Sequence, residues 1–419
     1  MDQFYINGGR HLEGELELYS AKNALLPILA GAILCEEDVL IKNCCSFSDV
    51  IYMVKILENL GVKAEFSGND LHLNLKDADN YKVTEEHTKK VRSSIFMLGS
   101  LLSRFKYAKV SYPGGCNIGT RPIDIHLKGL KTLNVKIEEV DGFINCDGTN
   151  MKSGIVVFDF PSVGATENIM MASVFLNGTT YIHNAAREPE IIDLQNFLNS
   201  MGAKVKGAGS YIIEIEGVEK FHYTEYKPIS DRIVAGTYLI GAAITKGNIT
   251  LKNTNPEHNG ALIKLLKQIG CKISLKPSSI TISNKKRLKN IKHLETRPYP
   301  GFATDLQNQF LALETIGKGT GFITENLYET RFKIIPELLK MGASITVKDR
   351  TAVVQGVERL YGANVTAPDL RSGAGLILAG LCAEGVTQVG DIENVERGYL
   401  NIETDLAKLN ADIKRINSH

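Results

Sequence analysis

Cys116 lies in a glycine-rich stretch whose residue types could carry out chemistry. Residues 111–124 read SYPGGCNIGTRPID, so the thiol follows two glycines and precedes Arg121 by five positions. An accessible loop and a nearby guanidinium lower the pKa of a thiol and make it reactive. We therefore predict Cys116 to be a reactive thiol. Because glycine changes conformation at little cost, we also predict that Tyr112 to Arg121 form a mobile lid.

The other six cysteines have a different setting. They lie among apolar or strand-like residues, where a free cysteine usually behaves as a small buried hydrophobe. The chain has no C-x-x-C pair and no cysteine-histidine spacing typical of zinc, so we expect reduced thiols and no metal. These six residues are Cys35, Cys44, Cys45, Cys146, Cys271 and Cys382.

Charged residues recur at the predicted starts of apolar helices. A Lys or Arg at a helix N-terminus is electrostatically unfavourable unless an anion lies nearby. For any one carboxylate the ordinary explanation is an N-cap, and for any one arginine it is a solvated surface position. Several guanidiniums that converge on one cleft would instead suit carboxylate and phosphate groups. The residues concerned are Lys22, Asn23, Arg92, Arg121, Ser162 to Gly164, Asp231, Asp305, Arg331, Asp369, Arg371 and Arg397.

A repeat of about 70 residues predicts the elements that position these groups. Six segments share one pattern, in which a leucine-rich helix reaches a Gly or Asn and a short strand follows. Gly and Asn readily adopt the left-handed conformation that ends a helix. These pivot residues recur 68 to 73 residues apart and are Gly61, Asn134, Gly202, Gly270, Gly342 and Asn410.

A second set of six helices lies between the pivots and is apolar around most of its circumference. Such helices are typical of elements buried inside a ring of others. Each repeat is then helix, strand, helix and a pair of strands, which predicts an α/β fold with six repeats. A stacked scaffold is the alternative, but solenoid repeats run only about 20 to 50 residues. We therefore predict two bodies of three repeats with a cleft between them, and crossings near residues 20–22 and 226–231.

The composition narrows the class of protein. The chain has 419 residues, 43% of them hydrophobic, and a formal net charge of +1, so nothing in it favours nucleic acid as a partner. Its first residues do not read as a signal peptide, and the apolar runs are too short to span a bilayer. We expect a cytoplasmic enzyme or binding protein.

Eight segments, spread in order along nearly the whole chain, carry a family resemblance. They read SAKNALLPILA (20–30), PGGCNIGTRPIDIHLKGL (113–130), PSVGATENIMMA (161–172), REPEIIDLQNFLNSMGAKVKGAG (187–209), GFATDLQNQF (301–310), ENLYETRF (325–332), PDLRSGAGLILAG (368–380) and ERGY (396–399). Together they resemble the UDP-N-acetylglucosamine enolpyruvyl transferases, also called UDP-N-acetylglucosamine 1-carboxyvinyltransferases.

The resemblance implies a fold and an activity. The expected fold is a two-domain inside-out α/β barrel with three repeats per domain. One domain spans 22–228, the other combines 1–21 with 229–419, and the active site lies in the cleft between them. The implied reaction transfers the enolpyruvyl group of phosphoenolpyruvate to the 3-hydroxyl of UDP-N-acetylglucosamine and releases phosphate, in the first committed step of peptidoglycan synthesis. It implies no cofactor and no metal.

The resemblance also implies which groups move protons. Cys116 corresponds to the acid that protonates the methylene carbon of phosphoenolpyruvate. It also corresponds to the site of covalent adducts with phosphoenolpyruvate and with the inhibitor fosfomycin. Asp305 corresponds to the carboxylate that either takes the proton of the sugar hydroxyl or orients this hydroxyl.

Other matched positions are implied to bind the substrates. Lys22, Arg121 and Arg397 correspond to cations around phosphoenolpyruvate, and Lys22 and Arg397 count as catalytic too. Asn23 corresponds to a contact with the reaction intermediate. Other positions correspond to contacts with the sugar nucleotide, whose binding would close the lid. The remaining substrate-binding residues are Asn23, Arg92, Arg121, Pro122, Ile123, Asp124, Ile125, Ser162, Val163, Gly164, Leu327, Arg331, Asp369 and Arg371.

Two other functions compete with this interpretation. The first is the shikimate-pathway enolpyruvyl transferase, which shares the architecture but lacks the cysteine-bearing PGGC segment. The second is a non-catalytic regulator that binds sugar nucleotides. A complete set of acid, base and cations argues against the regulator.

Overall fold

The computed structural model describes residues 2–114, 119 and 122–416. Its strands are β1 Gln3–Asn7, β2 Glu13–Glu17, β3 Asp38–Ile41, β4 Lys63–Ser67, β5 Asp70–Asn74, β6 Lys82–Val83, β7 Tyr107–Ser111, β8 Lys136–Val140, β9 Phe143–Asp147, β10 Ile155–Val157, β11 Thr179–His183, β12 Lys204–Lys206, β13 Ile212–Glu216, β14 Thr224–Tyr226, β15 Asn248–Lys252, β16 Lys272–Lys276, β17 Ser279–Ser283, β18 Leu294–Glu295, β19 Thr320–Thr324, β20 Ser344–Lys348, β21 Thr351–Gln355, β22 Asn364–Thr366, β23 Val386–Gly390 and β24 Asp412–Ile416.

The helices alternate with these strands. They are α1 Lys22–Ala32, α2 Ser48–Asn59, α3 Glu85–Thr88, α4 Met97–Phe105, α5 Asp124–Thr132, α6 Val163–Ser173, α7 Pro189–Ser200, α8 Arg232–Ile244, α9 Gly260–Ile269, α10 Gln307–Glu314, α11 Ile335–Lys340, α12 Leu370–Cys382, α13 Glu393–Glu396 and α14 Ile402–Lys408. Short 3-10 helices span Arg92–Phe96, Pro256–Asn259, Thr304–Leu306 and Arg331–Ile334.

The strands form sheets of four with one recurring topology. In each sheet the two strands at one end are parallel and the other neighbouring strands are antiparallel. The sheets have the strand orders β14-β3-β5-β4, β6-β7-β9-β8, β10-β11-β13-β12, β16-β17-β15-β2, β18-β19-β21-β20 and β22-β23-β1-β24. Six sheets built alike confirm the predicted six repeats.

The described chain divides into two compact units. The N-terminal unit has Ser20–Cys116 and Pro122–Ile229 as its main segments. The C-terminal unit has Met1–Tyr19 and Ser230–His419 as its main segments. The first strands complete this second unit, because β2 pairs with β15 and β1 lies between β23 and β24. The cleft expected between two domains stays a prediction.

The six apolar helices are buried, as predicted. Every residue of α8 and α10 is buried, and so is every residue of α1 except Asn23. In the C-terminal unit α8, α10 and α12 pack against one another, and in the N-terminal unit α4 packs against α6. The sheets lie outside these helices and expose alternate residues, as the pattern eBiBe of β15 shows. None of the described helices is long and apolar enough to cross a membrane.

The predicted pivots are confirmed by their backbone angles. All six have positive φ, between 66° at Asn134 and 124° at Gly270. A positive φ costs glycine little and asparagine less than most residues, so the chain can leave the helix and enter the next strand. The repeat found in the sequence is therefore a repeat of helix ends.

A buried carboxylate makes the stability of the C-terminal unit depend on pH. Glu314 ends α10 and is 1% exposed, and its two oxygens lie 3.2 and 3.0 Å from the backbone nitrogen of Ile291. Burial raises the pKa of Glu314 to about 8, although the hydrogen bond from Ile291 acts to lower it. An unfolded glutamate has a pKa of about 4.3. Between these two pH values the folded state keeps a proton that the unfolded state has released.

We therefore expect Glu314→Gln to stabilise the protein at high pH. Below about pH 4.3 Glu314 is protonated in both states and does not lower the free energy of unfolding. Between that pH and the folded pKa, the free energy of unfolding falls by about 1.4 kcal/mol per pH unit. Melting temperatures should be similar for the wild type and the variant at pH 4.5, and the variant should melt higher at pH 8. Glu384→Gln, at an exposed carboxylate, should show no such difference. The same offset at both pH values would contradict the expectation.

Candidate active site

Asp305 is the centre of a charged cluster in the C-terminal unit. It lies in the 3-10 helix Thr304–Leu306, one turn before α10. Its Oδ1 accepts a hydrogen bond from Nη2 of Arg331, and its Oδ2 accepts one from Nη2 of Arg371 at 2.9 Å. The side chains of both arginines are nearly inaccessible, at 2% and 3%, whereas the Asp305 side chain is 28% exposed. The carboxylate is therefore held by two buried cations and is partly exposed to solvent.

Arg371 keeps its charge in this buried setting. Burial acts to lower the pKa of Arg371, but Asp305, Tyr399 and Asp231 more than offset it, so the pKa is raised above its usual value. The two guanidiniums attract the Asp305 carboxylate electrostatically and hold it in place. An ionised carboxylate that is fixed by two guanidiniums can accept a proton from a hydroxyl or orient that hydroxyl.

The structure shows different roles for three carboxylates that the sequence allowed to be N-caps. Asp231 caps α8 by accepting from the backbone nitrogens of Ile233 and Val234 at 2.8 and 3.0 Å. Asp369 caps α12 in the same way, by accepting from those of Arg371 and Ser372, both at 3.0 Å. Asp305 makes ion pairs instead. The ordinary explanation therefore holds for the first two carboxylates and is wrong for the third.

Hydrogen bonds connect the Arg397 segment to the Asp305 turn. Arg397 directly follows α13 and is half-buried. Two residues later, the hydroxyl of buried Tyr399 accepts a hydrogen bond from the amide of Gln309 at 3.1 Å. The same amide donates to the backbone oxygen of Asp305 at 3.0 Å, and the Arg371 guanidinium lies 5.5 Å from the centre of the Tyr399 ring. The segments that carry Arg397, Asp305 and Arg371 are thus held together.

Lys22 has a partner in the N-terminal unit that the sequence did not reveal. It is the first residue of α1 and is 8% exposed, and its Nζ lies 3.1 Å from Oδ2 of Asp49. Asp49 is 4% exposed and belongs to the first turn of α2. A lysine at a helix N-terminus is unfavourable by itself, so this carboxylate stabilises the position. The sequence contained only an ordinary signal for Asp49, an acid near a helix start.

Three other predicted binding segments meet within the N-terminal unit. Gly164, in the first turn of α6, is so close to Phe96 and His126 that an added Cβ would lie 3.0 and 2.9 Å from their side chains. Phe96 ends the 3-10 helix that begins at Arg92, and His126 follows Asp124 and Ile125 in α5. Ser162 caps α6 by accepting from the nitrogen of Ala165 at 3.3 Å. The structure therefore brings together the segments that carry Arg92, residues 122–125 and residues 162–164.

Two predicted residues lie outside the described part of the chain. These are Cys116 and Arg121, so the predicted reactive thiol and its lid stay predictions. The described cysteines are free, and five of the six are buried. Burial raises the pKa of Cys44, Cys146, Cys271 and Cys382 to about 12, which makes these thiols inert at neutral pH. Among the described residues, no three His, Cys, Asp or Glu side chains are placed to hold a metal ion.

The fold and the cluster define a class of protein. A family model described as EPSP synthase (3-phosphoshikimate 1-carboxyvinyltransferase) matches residues 6–406. The enolpyruvyl transferase NikO from Streptomyces tendae has the same fold, with a TM-score of 0.88 at 21% identity over 100% of this chain and 99% of that one. EPSP synthase from Acinetobacter baumannii superposes with a TM-score of 0.76 at 17% identity over the full length of both chains. The fold is that of the enolpyruvyl transferases.

Relatives of higher identity identify the family within this class. The chain is 50% identical over 416 residues to UDP-N-acetylglucosamine 1-carboxyvinyltransferase 2 of Caldanaerobacter subterraneus subsp. tengcongensis, covering 99% of this chain and 100% of the relative. It is 45% identical over 417 residues to UDP-N-acetylglucosamine 1-carboxyvinyltransferase 1 of Carboxydothermus hydrogenoformans, covering 100% and 99%. The chain therefore belongs to the UDP-N-acetylglucosamine 1-carboxyvinyltransferase family. This membership favours the sugar-nucleotide enzyme over the shikimate-pathway alternative.

Proposed function

We propose that the protein transfers the enolpyruvyl group of phosphoenolpyruvate to the 3-hydroxyl of UDP-N-acetylglucosamine, with release of phosphate. Family membership supports the choice of substrates, since the relatives are named for this acceptor. The observation that carries the chemistry is the partly exposed carboxylate of Asp305, fixed by two buried arginines. The proposal includes a cytoplasmic location and a role in the first committed step of peptidoglycan synthesis.

The reaction proceeds by addition and then elimination. In the addition, the sugar hydroxyl oxygen bonds to C2 of phosphoenolpyruvate and loses its proton, while C3 gains a proton. In the elimination, C3 loses a proton, the bond from C2 to the phosphate oxygen breaks, and phosphate leaves. We assign Cys116 as the acid that protonates C3 and Asp305 as the group that takes or orients the hydroxyl proton. The thiolate of Cys116 also accounts for a covalent adduct with phosphoenolpyruvate.

Fixed cations bind the anionic groups of the substrates. We assign Lys22, Arg121 and Arg397 to the phosphate and carboxylate of phosphoenolpyruvate, because charge-assisted hydrogen bonds to such groups are strong. Asp49 keeps Lys22 in place through the contact at 3.1 Å. We assign the remaining predicted positions to the sugar nucleotide and the intermediate: Asn23, Arg92, residues 122–125, residues 162–164, Leu327, Arg331, Asp369 and Arg371.

Release of inorganic phosphate tests the function directly. We expect release when phosphoenolpyruvate and UDP-N-acetylglucosamine are both present, and none with either alone. Replacing the acceptor with shikimate 3-phosphate should give no release. We expect activity to persist in excess EDTA, since the proposed acid, base and cations need no metal. Release with shikimate 3-phosphate, or complete loss in EDTA, would contradict the proposal.

We expect fosfomycin to inactivate the protein by forming a covalent bond to one cysteine, Cys116. An epoxide reacts with a thiolate, and the raised pKa values of buried Cys44, Cys146 and Cys271 keep these residues in the thiol form. Peptide mapping by mass spectrometry should place the adduct on the peptide that contains Cys116. The other cysteines serve as internal controls within the same sample. An adduct on any of them at comparable occupancy would refute the assignment.

A further inference from the structure

Glu325 is a buried carboxylate that joins three segments of the C-terminal unit. It directly follows β19 and is 1% exposed. Its Oε1 accepts hydrogen bonds from the hydroxyl of Thr296 at 2.9 Å and from the backbone nitrogens of Leu327 and Tyr328 at 2.8 and 3.1 Å. Its Oε2 accepts one from the hydroxyl of Thr304 at 2.9 Å. All four of these donors are uncharged groups.

Glu325 accepts more hydrogen bonds than are needed to shape a local turn. A side chain that accepts from the nitrogens two and three residues ahead is a common way to shape a turn. The bonds to Thr304 and Thr296, however, reach across 21 and 29 residues of sequence. Burying a carboxylate is costly unless it is well hydrogen-bonded, so an apolar residue would stabilise the fold more cheaply. The arrangement points to a task beyond stability.

Both ends of this network reach residues of the proposed site. Thr304 precedes Asp305, and its backbone oxygen accepts from Nε of Arg331 at 3.3 Å. Arg331 in turn binds the Asp305 carboxylate. At the other end, the bonded nitrogen belongs to Leu327, which we assign to the sugar nucleotide. A shift of Glu325 would therefore move the proposed base and a proposed binding residue together.

We propose that Glu325 is a positioning residue that sets the place of Asp305 relative to Leu327. This inference rests on the proposed function, since it takes the roles of Asp305 and Leu327 from there. Glu325 touches neither substrate and moves no proton. It acts through the Thr304 hydroxyl on one side and through the backbone of Leu327 and Tyr328 on the other.

The most specific test removes only the hydrogen bond from the Thr304 hydroxyl to Glu325. Thr304→Val should lower kcat about ten- to hundredfold, because a displacement near 1 Å at a reacting group costs up to about hundredfold. The KM for phosphoenolpyruvate should change less than threefold. Thr324→Val is the control: it also removes a threonine hydroxyl, from the residue before Glu325, and with it the hydrogen bonds to Thr351 at 2.9 Å and to His293 at 3.2 Å. We expect kcat of this control within twofold of the wild type.

A conservative change at Glu325 should rescue the arrangement in part. In Glu325→Gln the amide oxygen can replace Oε1, and the amide nitrogen can donate to the Thr304 hydroxyl. We expect its kcat to fall less than that of Thr304→Val. A kcat of Thr304→Val equal to that of its Thr324→Val control, with both melting temperatures alike, would overturn the proposal.

A crystal structure of Thr304→Val separates this inference from the proposed function. We expect the Asp305 carboxylate to leave hydrogen-bond distance of Arg331 or Arg371 in the variant. An Asp305 carboxylate that keeps both contacts would overturn the positioning role whatever the enzyme's substrates are. Absence of phosphate release by the wild type, by contrast, would refute the proposed function and leave the structural comparison to decide on Glu325.

Discussion

Replacing Cys116 with serine is expected to lower kcat at least a thousandfold, whereas replacing it with aspartate should leave measurable turnover. The addition step needs a group that donates a proton to C3 of phosphoenolpyruvate, and general acid catalysis contributes about 10² to 10⁴ in rate. A carboxylic acid can donate that proton. A serine hydroxyl hardly can. Steady-state phosphate release with both substrates measures the difference.

The control for this prediction is the same substitution at a described cysteine outside the proposed site. Cys382 donates to the backbone oxygen of Ala379 at 3.3 Å, a bond that serine can keep, so Cys382→Ser should leave kcat unchanged. An active Cys116→Ser variant, with kcat within tenfold of the wild type, would show that the thiol is not the acid. The aspartate variant should also escape inactivation by fosfomycin, because it has no thiol at this position.

Asp305→Asn is expected to lower kcat at least a hundredfold and to destabilise the C-terminal unit. Asparagine can still accept a hydrogen bond, but it cannot take a proton and it removes the negative charge that pairs with Arg331 and Arg371. Removing one partner of a fully buried ion pair costs about 3 to 5 kcal/mol. Because the Asp305 side chain is 28% exposed, we expect the lower part of that range or less.

Two measurements separate these effects. Phosphate release at saturating substrate reports kcat, and thermal unfolding reports stability. Glu384→Gln is the matched control, since it removes an exposed carboxylate paired with Arg359 at 2.6 Å, and we expect neither quantity to change. A variant that unfolds earlier but turns over at the wild-type rate would restrict Asp305 to a structural role.

Local patterns in the sequence were sufficient to predict the repeats and their buried helices. The pivots at Gly61 and Asn134 could be found because a positive φ at a helix end favours only a few residue types. The buried helices, such as α8, could be found because burial on all sides requires apolar residues around the whole circumference. Both constraints act within one turn or one helix, so each can be recognised from the residue types in a short segment of sequence.

Partner choice at the candidate site depended on the tertiary structure. Asp231, Asp305 and Asp369 all precede buried helices, yet Asp231 and Asp369 cap those helices whereas Asp305 pairs with two arginines, one of which is 66 residues away in sequence. Asp49 and Glu325 gave no distinctive signal, because an acid near a helix start and an acid after a strand are both common. The sequence by itself determined the six repeats, their buried helices and the positions at helix starts that carry the charges. The tertiary structure alone decided which of those charges meet, because ion pairs and hydrogen bonds between distant segments depend on how the helices pack and leave no periodic pattern along the chain.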